Sequence, residues 1–97
     1  MLKDQFLKAQ QSKHKIRITF HPKTNRQTLM RICAPLDFGP GKVDQSDHLH
    51  VWEYEGESGG HLLSLKLEQV VRIDILDEEF DPGDFVHFIA RDWGQHL

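Results

Sequence analysis

Two neighbouring segments in the middle of the chain, residues 48–54 and 62–67, carry the side chains best suited to chemistry. Both alternate in character with a period of two, which is typical of strands that have one buried face. The residues that share the polar and aromatic face are His48, His50, Trp52, Tyr54 and Lys66. Lysine and histidine can contact phosphate while aromatic rings stack on a base. We therefore expect this face to bind an anionic nucleotide-like or nucleic-acid ligand.

Two arginines on neighbouring predicted strands, Arg17 and Arg31, would add positive charge to this ligand site. The same alternation also describes an ordinary solvated sheet face, whose side chains bind nothing. Trp52 would then be covered by a C-terminal helix, through Phe88 and Trp93. The pattern alone does not choose between these two explanations.

Metal binding and catalysis are the other functions that these residue types could serve. His48 and His50 have a spacing found in metal sites, with His61 as a distant third ligand. Catalytic zinc needs three protein ligands and structural zinc four, and the spacing assures neither, so we expect no metal and no cofactor. No Ser/His/Asp set has a recognisable spacing and no phosphate-binding glycine loop precedes a helix, so we expect a non-catalytic protein.

The two central segments are predicted to pair as an antiparallel hairpin around the glycine-rich loop 56–60. One register places His50 opposite Lys66, and a slip of two residues places His48 opposite Lys66 instead. Either register puts the polar and aromatic residues on a solvated face. We expect His50 and Lys66 to emerge together on that face. The opposite, buried face is expected to carry Leu49, Val51, Leu63, Leu65 and Leu67.

Three further strands and an N-terminal helix follow from the same periodicities. A helix over about 3–12 would pack on the core through a stripe of Leu2, Phe6 and Ala9, with Leu7 beside it. The strands are predicted over 15–20, 27–34 and 70–76. Their inward residues are expected to be Ile16, Ile18 and Phe20, then Met30 and Ile32, then Val71, Ile73 and Ile75. Pro35 is expected to end the second strand or to place it at an edge, because proline lacks the ladder donor.

A C-terminal helix is predicted over about 82–94, with Asp81 as its N-cap and Pro82 at its first position. Its apolar stripe comprises Phe85, Phe88, Ile89 and Trp93. This stripe would pack on the protein's own sheet or serve as the contact of a protein–protein interaction module. The second possibility is the alternative function, in which no small ligand binds and a regulatory protein is the partner.

The composition is that of a soluble globular chain whose charge is unevenly distributed. Residues 1–35 carry eight lysines or arginines and one acidic residue, and residues 36–97 carry four and fourteen. In so short a chain we expect the basic early strands to lie beside the acidic late ones. The single Cys33, the absence of an apolar stretch near residue 1 and the lack of a membrane-length apolar run favour a cytoplasmic protein.

These elements predict a mainly β (α+β) fold with one domain over 1–97. Five short strands over about 15–77, with one core between two terminal helices, form a small, strongly bent antiparallel sheet or barrel. The oligomeric state is not determined by the sequence.

The layout over roughly residues 3–81 resembles the WYL domain. The resemblance rests on a helix followed by the strand 15–20, a second strand ending in Ala34-Pro35-Leu36, and the hairpin leading into 65–80. The name-giving Trp-Tyr-Leu positions fall on 49–51, and the two family arginines on Lys66 and Gln69. The resemblance implies a small barrel of Sm-like (Src-homology-3-like) type. It also implies a ligand-sensing module of transcription regulation that binds nucleotide-like or nucleic-acid ligands.

Overall fold

One helix and five antiparallel strands make up the part of the chain that the computed structural model describes, which is residues 1–22, 27–41, 45–55 and 60–85. The elements are α1 (Leu2–Ser12), β1 (His14–Phe20), β2 (Leu29–Pro40), β3 (Asp47–Glu53), β4 (His61–Lys66) and β5 (Val70–Glu79). Short 3₁₀ turns at Leu67–Gln69 and Pro82–Phe85 follow β4 and β5. The predicted N-terminal helix and the five strands are therefore confirmed. No helix in these residues is long and apolar enough to cross a membrane.

The strands form one antiparallel sheet in the order β4-β3-β2-β1-β5. Its edge strands, β4 and β5, are joined by only the three residues of the turn Leu67–Gln69. A flat five-stranded sheet would hold its edges about 19 Å apart, whereas a 3₁₀ turn of this length spans about 6 Å. The sheet must therefore bend strongly. No ladder joins β4 to β5 within the described residues, so closure into a barrel stays a prediction.

The inner face of the bent sheet and helix α1 enclose the main hydrophobic core. The core residues are Phe6, Ala9, Ile16, Ile18, Phe20, Cys33, Leu49, Val51, Leu65, Val70 and Ile73. The helix contacts β1, β2 and β5, and its Phe6 ring lies 6.4 Å from that of Phe38. The predicted inward facing of β1 and the burial of Phe6 and Ala9 are confirmed, because period-two and helical spacing both hold here.

The predicted facing of β2 is wrong. Met30, expected inward, is 58% exposed, whereas Cys33 on the opposite face is fully buried. Both faces of this strand are partly apolar, so its own pattern does not reveal the buried side. The pairing with β1 decides it, since Ile16 lies opposite Cys33 and Ile18 opposite Arg31.

Strand β2 also continues beyond Pro35, where its end was predicted. It runs on to Pro40 beside β3, and its pairing shifts between Pro35 and Asp37. A bulge tolerates proline because the ladder is locally interrupted there and needs no N–H donor. The residues of β2 that follow the bulge pair with β3, where Asp37 lies opposite His50 and Gly39 opposite His48.

Two late segments face differently from their predictions. Leu67 leaves the strand for the 3₁₀ turn and is 37% exposed. In β5, Val71 is 53% exposed, whereas Val70 is buried. Ile73 is buried as predicted, and Ile75 lies on the same face opposite Ile16, although it is 39% exposed. The register with β1 shifts at the start of β5, because Phe20 pairs with Val70 while Thr19 pairs with Arg72. This bulge reverses the facing of the first residues of β5.

A second, smaller apolar cluster covers part of the outer face, which is the face that carries Trp52 and His50. Phe85 is buried there, 5.7 Å from the Trp52 ring and 6.3 Å from that of Phe80. The Asp81 carboxylate accepts a hydrogen bond of 2.9 Å from the Gly83 N–H, as expected for a cap.

Part of the C-terminal helix predicted over about 82–94 lies outside the described residues, and so do Phe88, Ile89 and Trp93. Within the described part, Pro82–Phe85 is a single 3₁₀ turn. A C-terminal helix is therefore not confirmed. The first aromatic residue of its predicted stripe, Phe85, packs on the protein's own sheet.

The basic strand β1 lies beside the acidic strand β5, as the charge distribution led us to expect. Lys15 Nζ is 2.6 Å from Glu78 Oε2, and His14 Nε2 is 4.0 Å from Glu79 Oε2. The two ends of the sequence therefore neutralise each other at this edge of the sheet. This arrangement argues against a large basic surface for nucleic acid.

We expect Phe85→Ala to lower the free energy of unfolding by about 3 kcal/mol, because it removes a buried ring from the outer-face cluster. Met30→Ala removes an exposed apolar side chain and should change it by less than about 0.5 kcal/mol. Urea unfolding of both variants measures the difference. Equal effects would show that Phe85 does not pack as described.

Candidate functional site

The hairpin of β3 and β4 has the slipped register of the two that the sequence allowed. His48 pairs with Lys66, His50 with Ser64 and Trp52 with Leu62. These residues share the outer face, while Leu49, Val51 and Leu65 lie on the inner face in the core. The shared face of His50 and Lys66 is thus as expected. The loop predicted over 56–60 lies outside the described residues except for Gly60.

The expectation that His50 emerges into solvent is wrong. His50 is 1% exposed and His48 is 6% exposed. The cause is the continuation of β2 beyond Pro35, which brings the Gly39 and Pro40 carbonyl oxygens to 3.2 Å from His50 Nε2. The two imidazole rings also stack, with centroids 5.9 Å apart. The two histidines therefore lie on the outer face but are buried there.

The hydrogen bonds of His50 define where its proton lies. Carbonyl oxygens only accept, so Nε2 carries the hydrogen and donates it to Gly39 and Pro40. Nδ1 of the neutral ring then accepts a 2.7 Å hydrogen bond from the Ser64 hydroxyl. Burial lowers the pKa of His50 below its ordinary value, although the two carbonyls and Asp37 oppose the shift. An exposed serine is therefore hydrogen-bonded to a buried, neutral imidazole.

His48 is held by its own strand connection, since its Nδ1 donates to the Ser46 carbonyl at 2.6 Å. Its cross-strand partner Lys66 is half-buried at the end of β4. The Lys66 backbone N–H donates to Gln69 Oε1 at 3.0 Å, and Gln69 Nε2 donates to the His21 carbonyl at 3.1 Å. Gln69 thus links the end of β4 to the residue after β1.

Trp52 and Tyr54 lie at the other end of β3 and pack in the outer-face apolar cluster. Lys15 Nζ lies 4.2 Å from the Tyr54 ring centroid while also contacting Glu78. Burial, followed by the nearby Glu78 and Asp84 charges, raises the pKa of Tyr54 to about 12. Both aromatic rings are thus engaged with the protein itself and lie apart from Lys66.

The two arginines predicted to support the site lie on opposite faces of the sheet. Arg17 is exposed on the outer face, two strands away from β3, between Ile32 and Asp74 in the ladders. Arg31 lies on the inner side, and its Nε is 3.5 Å from Glu53 Oε2. Arg31 therefore cannot join the outer-face site, because the β1–β2 register directs it the other way.

The metal alternative gains no geometric support. His61 Nε2 lies 3.5 Å from Glu53 Oε1, and these two residues pair at the opposite end of the hairpin from His48 and Lys66. Within the described ranges, no group of three or more His, Cys, Asp or Glu side chains could hold a metal ion. Cys33 is fully buried, and burial raises the pKa of its thiol far above the ordinary range.

Sequence reasoning missed Ser64, Asp37 and Lys15 as neighbours of the predicted residues. Ser64 was a polar residue on the predicted site face, and choosing the slipped register would have placed it beside His50. Asp37 pairs with His50 only because β2 is longer than predicted. No signal in the sequence indicated that extension.

A curated relative is similar to part of this chain. A stretch of 41 residues, 42% of the chain, is 42% identical to DNA-directed RNA polymerase III subunit RPC8 of cattle (Bos taurus). The chain spans 20% of the length of that protein. No family model matches the chain, and no solved structure matches it significantly.

We expect the protein to lose stability as the pH falls below about 6.5, the ordinary pKa of histidine in an unfolded chain. The pKa of His50 is lower in the folded state, so the unfolded chain binds a proton first. The loss should approach about 1.4 kcal/mol per pH unit at most and end below the folded pKa. Urea unfolding across this range measures it.

His50→Gln should flatten this pH dependence, whereas His21→Gln, at an exposed histidine, should leave it unchanged. If His50→Gln retained the full pH dependence, His50 would not be the buried neutral group described here.

We also expect Tyr54 to resist ionisation in the folded protein. It is the only tyrosine of the chain, so the ultraviolet absorbance of tyrosinate reports this residue alone. The folded protein should titrate near pH 12 and the urea-unfolded chain near about pH 10. Because the folded pKa is the higher one, the associated stability is present below about pH 10 and is lost between the two values. Identical titrations would contradict the burial of Tyr54.

Proposed function

We propose that this chain is a non-catalytic ligand-sensing or regulatory binding module of WYL type, which takes an anionic nucleotide-like or nucleic-acid ligand on its outer face. The observation that carries the proposal is the placement of Lys66. Its side chain shares the outer face with exposed Ser64 at the edge of the sheet, next to the buried pair of His48 and His50 on the neighbouring strand.

The architecture supports the class of module. The strand order β4-β3-β2-β1-β5 and the three-residue turn between β4 and β5 are what a small barrel requires. Helix α1 before the first strand agrees with the WYL layout.

The charges near Lys66 favour a small anionic group over an extended polyanion. The Lys66 ammonium can donate hydrogen bonds to phosphate oxygens. Asp37 lies across His50 from Ser64 on the same face and adds negative charge there. A phosphate would therefore bind at the Lys66 end of the site, and the remaining ligand would extend along the edge strand β4.

The partial similarity to an RNA polymerase III subunit supports a nucleic-acid context. It concerns less than half of this chain and a fifth of that protein, so it supports the ligand class alone. We propose that the protein acts in the cytoplasm. Its ligand would be a short single-stranded nucleic acid or a free nucleotide.

Fluorescence anisotropy with a labelled single-stranded oligonucleotide, and competition by a cyclic nucleotide, test this proposal. Lys66→Ala should weaken binding and reduce the slope of log affinity against log salt by about 0.7, the value for one lost phosphate contact. Lys8→Ala makes the same charge change at an exposed position on α1 and should leave the slope unchanged.

Absence of binding at low salt, or an equal loss in both variants, would overturn the proposed function. The second result would show that only net charge matters, and that the outer face holds no specific site.

A further inference from the structure

The contact between Ser64 and His50 has the geometry of a nucleophile and its base. Ser64 is exposed on the edge strand β4, and its Oγ lies 2.7 Å from His50 Nδ1. We propose that Ser64 is a nucleophile activated by His50, which reacts covalently with activated acyl or phosphonyl compounds. This inference goes beyond the proposed binding function and does not depend on it.

The direction of the hydrogen bond is the first argument. His50 Nε2 faces two carbonyl oxygens, so its hydrogen lies there and Nδ1 has a lone pair directed at the serine hydroxyl. The Ser64 proton therefore already points toward the base. Burial keeps the pKa of His50 low, so the ring is neutral and can accept a proton at neutral pH.

The rigidity of the base is the second argument. A nucleophile–base pair works when a third group orients the base. Here the Gly39 and Pro40 carbonyls hold one edge of the imidazole, and the His48 ring stacks against its face at 5.9 Å. When Nδ1 takes up a proton, the same two carbonyls stabilise the imidazolium through Nε2–H.

In the proposed reaction, Ser64 Oγ attacks the carbonyl carbon of an activated ester while its proton passes to His50 Nδ1. The C–O bond of the ester breaks, and the leaving alkoxide takes this proton and departs as an alcohol. With a fluorophosphonate, the new bond is P–O, the P–F bond breaks, fluoride leaves, and the proton passes from His50 to water. Lys66, two residues along the same strand face, would favour compounds that carry an anionic group.

The chain contains an internal control for this chemistry. Ser12 Oγ lies 3.0 Å from His14 Nδ1, a distance similar to that of the Ser64 pair. The Ser12 hydroxyl, however, lies 2.9 Å from the Lys8 carbonyl, to which it can donate in the last turn of α1. Its proton is directed at the backbone, so His14 should not activate it.

Labelling with an alkyl fluorophosphonate, followed by peptide mass mapping, tests the proposal on the full chain. We expect label on Ser64 and at least about 100-fold less on Ser12, the usual contribution of a general base. Ser64→Ala should abolish the label, and His50→Gln should slow it by a similar factor. The rate at Ser64 should also fall as the pH is lowered and His50 becomes protonated.

Equal labelling of Ser64 and Ser12 in the unmodified protein would overturn the proposal, whether or not His50→Gln folds. A folded His50→Gln variant that labels at the original rate would overturn it as well. Circular dichroism of each variant establishes which comparison applies.

Discussion

The short connection between β4 and β5 is the constraint on which the rest of the structure depends. Three residues join strands that lie at opposite edges of the sheet, so the sheet must bend and acquire an inner and an outer face. The inner face is filled by alternating aliphatic residues and covered by α1 through Phe6 and Ala9. Gln69, within this connection, ties the end of β4 to the His21 carbonyl after β1 and so helps to hold the bend.

The outer face has two ends with different physical character. Around Trp52 it is apolar and covered by Phe85, so it behaves as a second small core. Around His50 it is polar, because the bulge after Pro35 lets β2 continue and offer its carbonyls to the imidazole. The histidines can be buried at little cost because both ring nitrogens of His50 and Nδ1 of His48 have hydrogen-bond partners. Because β2 continues past this bulge, the part of the outer face around His50 is buried and is not exposed to solvent.

The site that results is smaller than the predicted one. His50 and Lys66 share a face as expected, but the aromatic residues pack at the other end and Arg31 pairs with Glu53 on the inner side. Ser64, on the edge strand, is exposed and donates a hydrogen bond to His50. The proposed ligand contact consequently rests on Lys66, with the two buried histidines beside it on the neighbouring strand.

The sequence by itself determined the helix α1, the five strands and the period-two faces of β1 and β3. In these segments the local periodicity is unambiguous, so it predicts the element and the face on which each residue lies. The tertiary structure alone decided the hairpin register, the facing of β2, the bulge in β5 and the burial of His50. Register depends on which strands become neighbours, and β2 is apolar on both faces, so no local pattern could specify these features. His50 is buried because the end of the preceding strand β2 passes beside it, and that contact depends on how β2 and β3 pair, which the alternation within either strand does not specify.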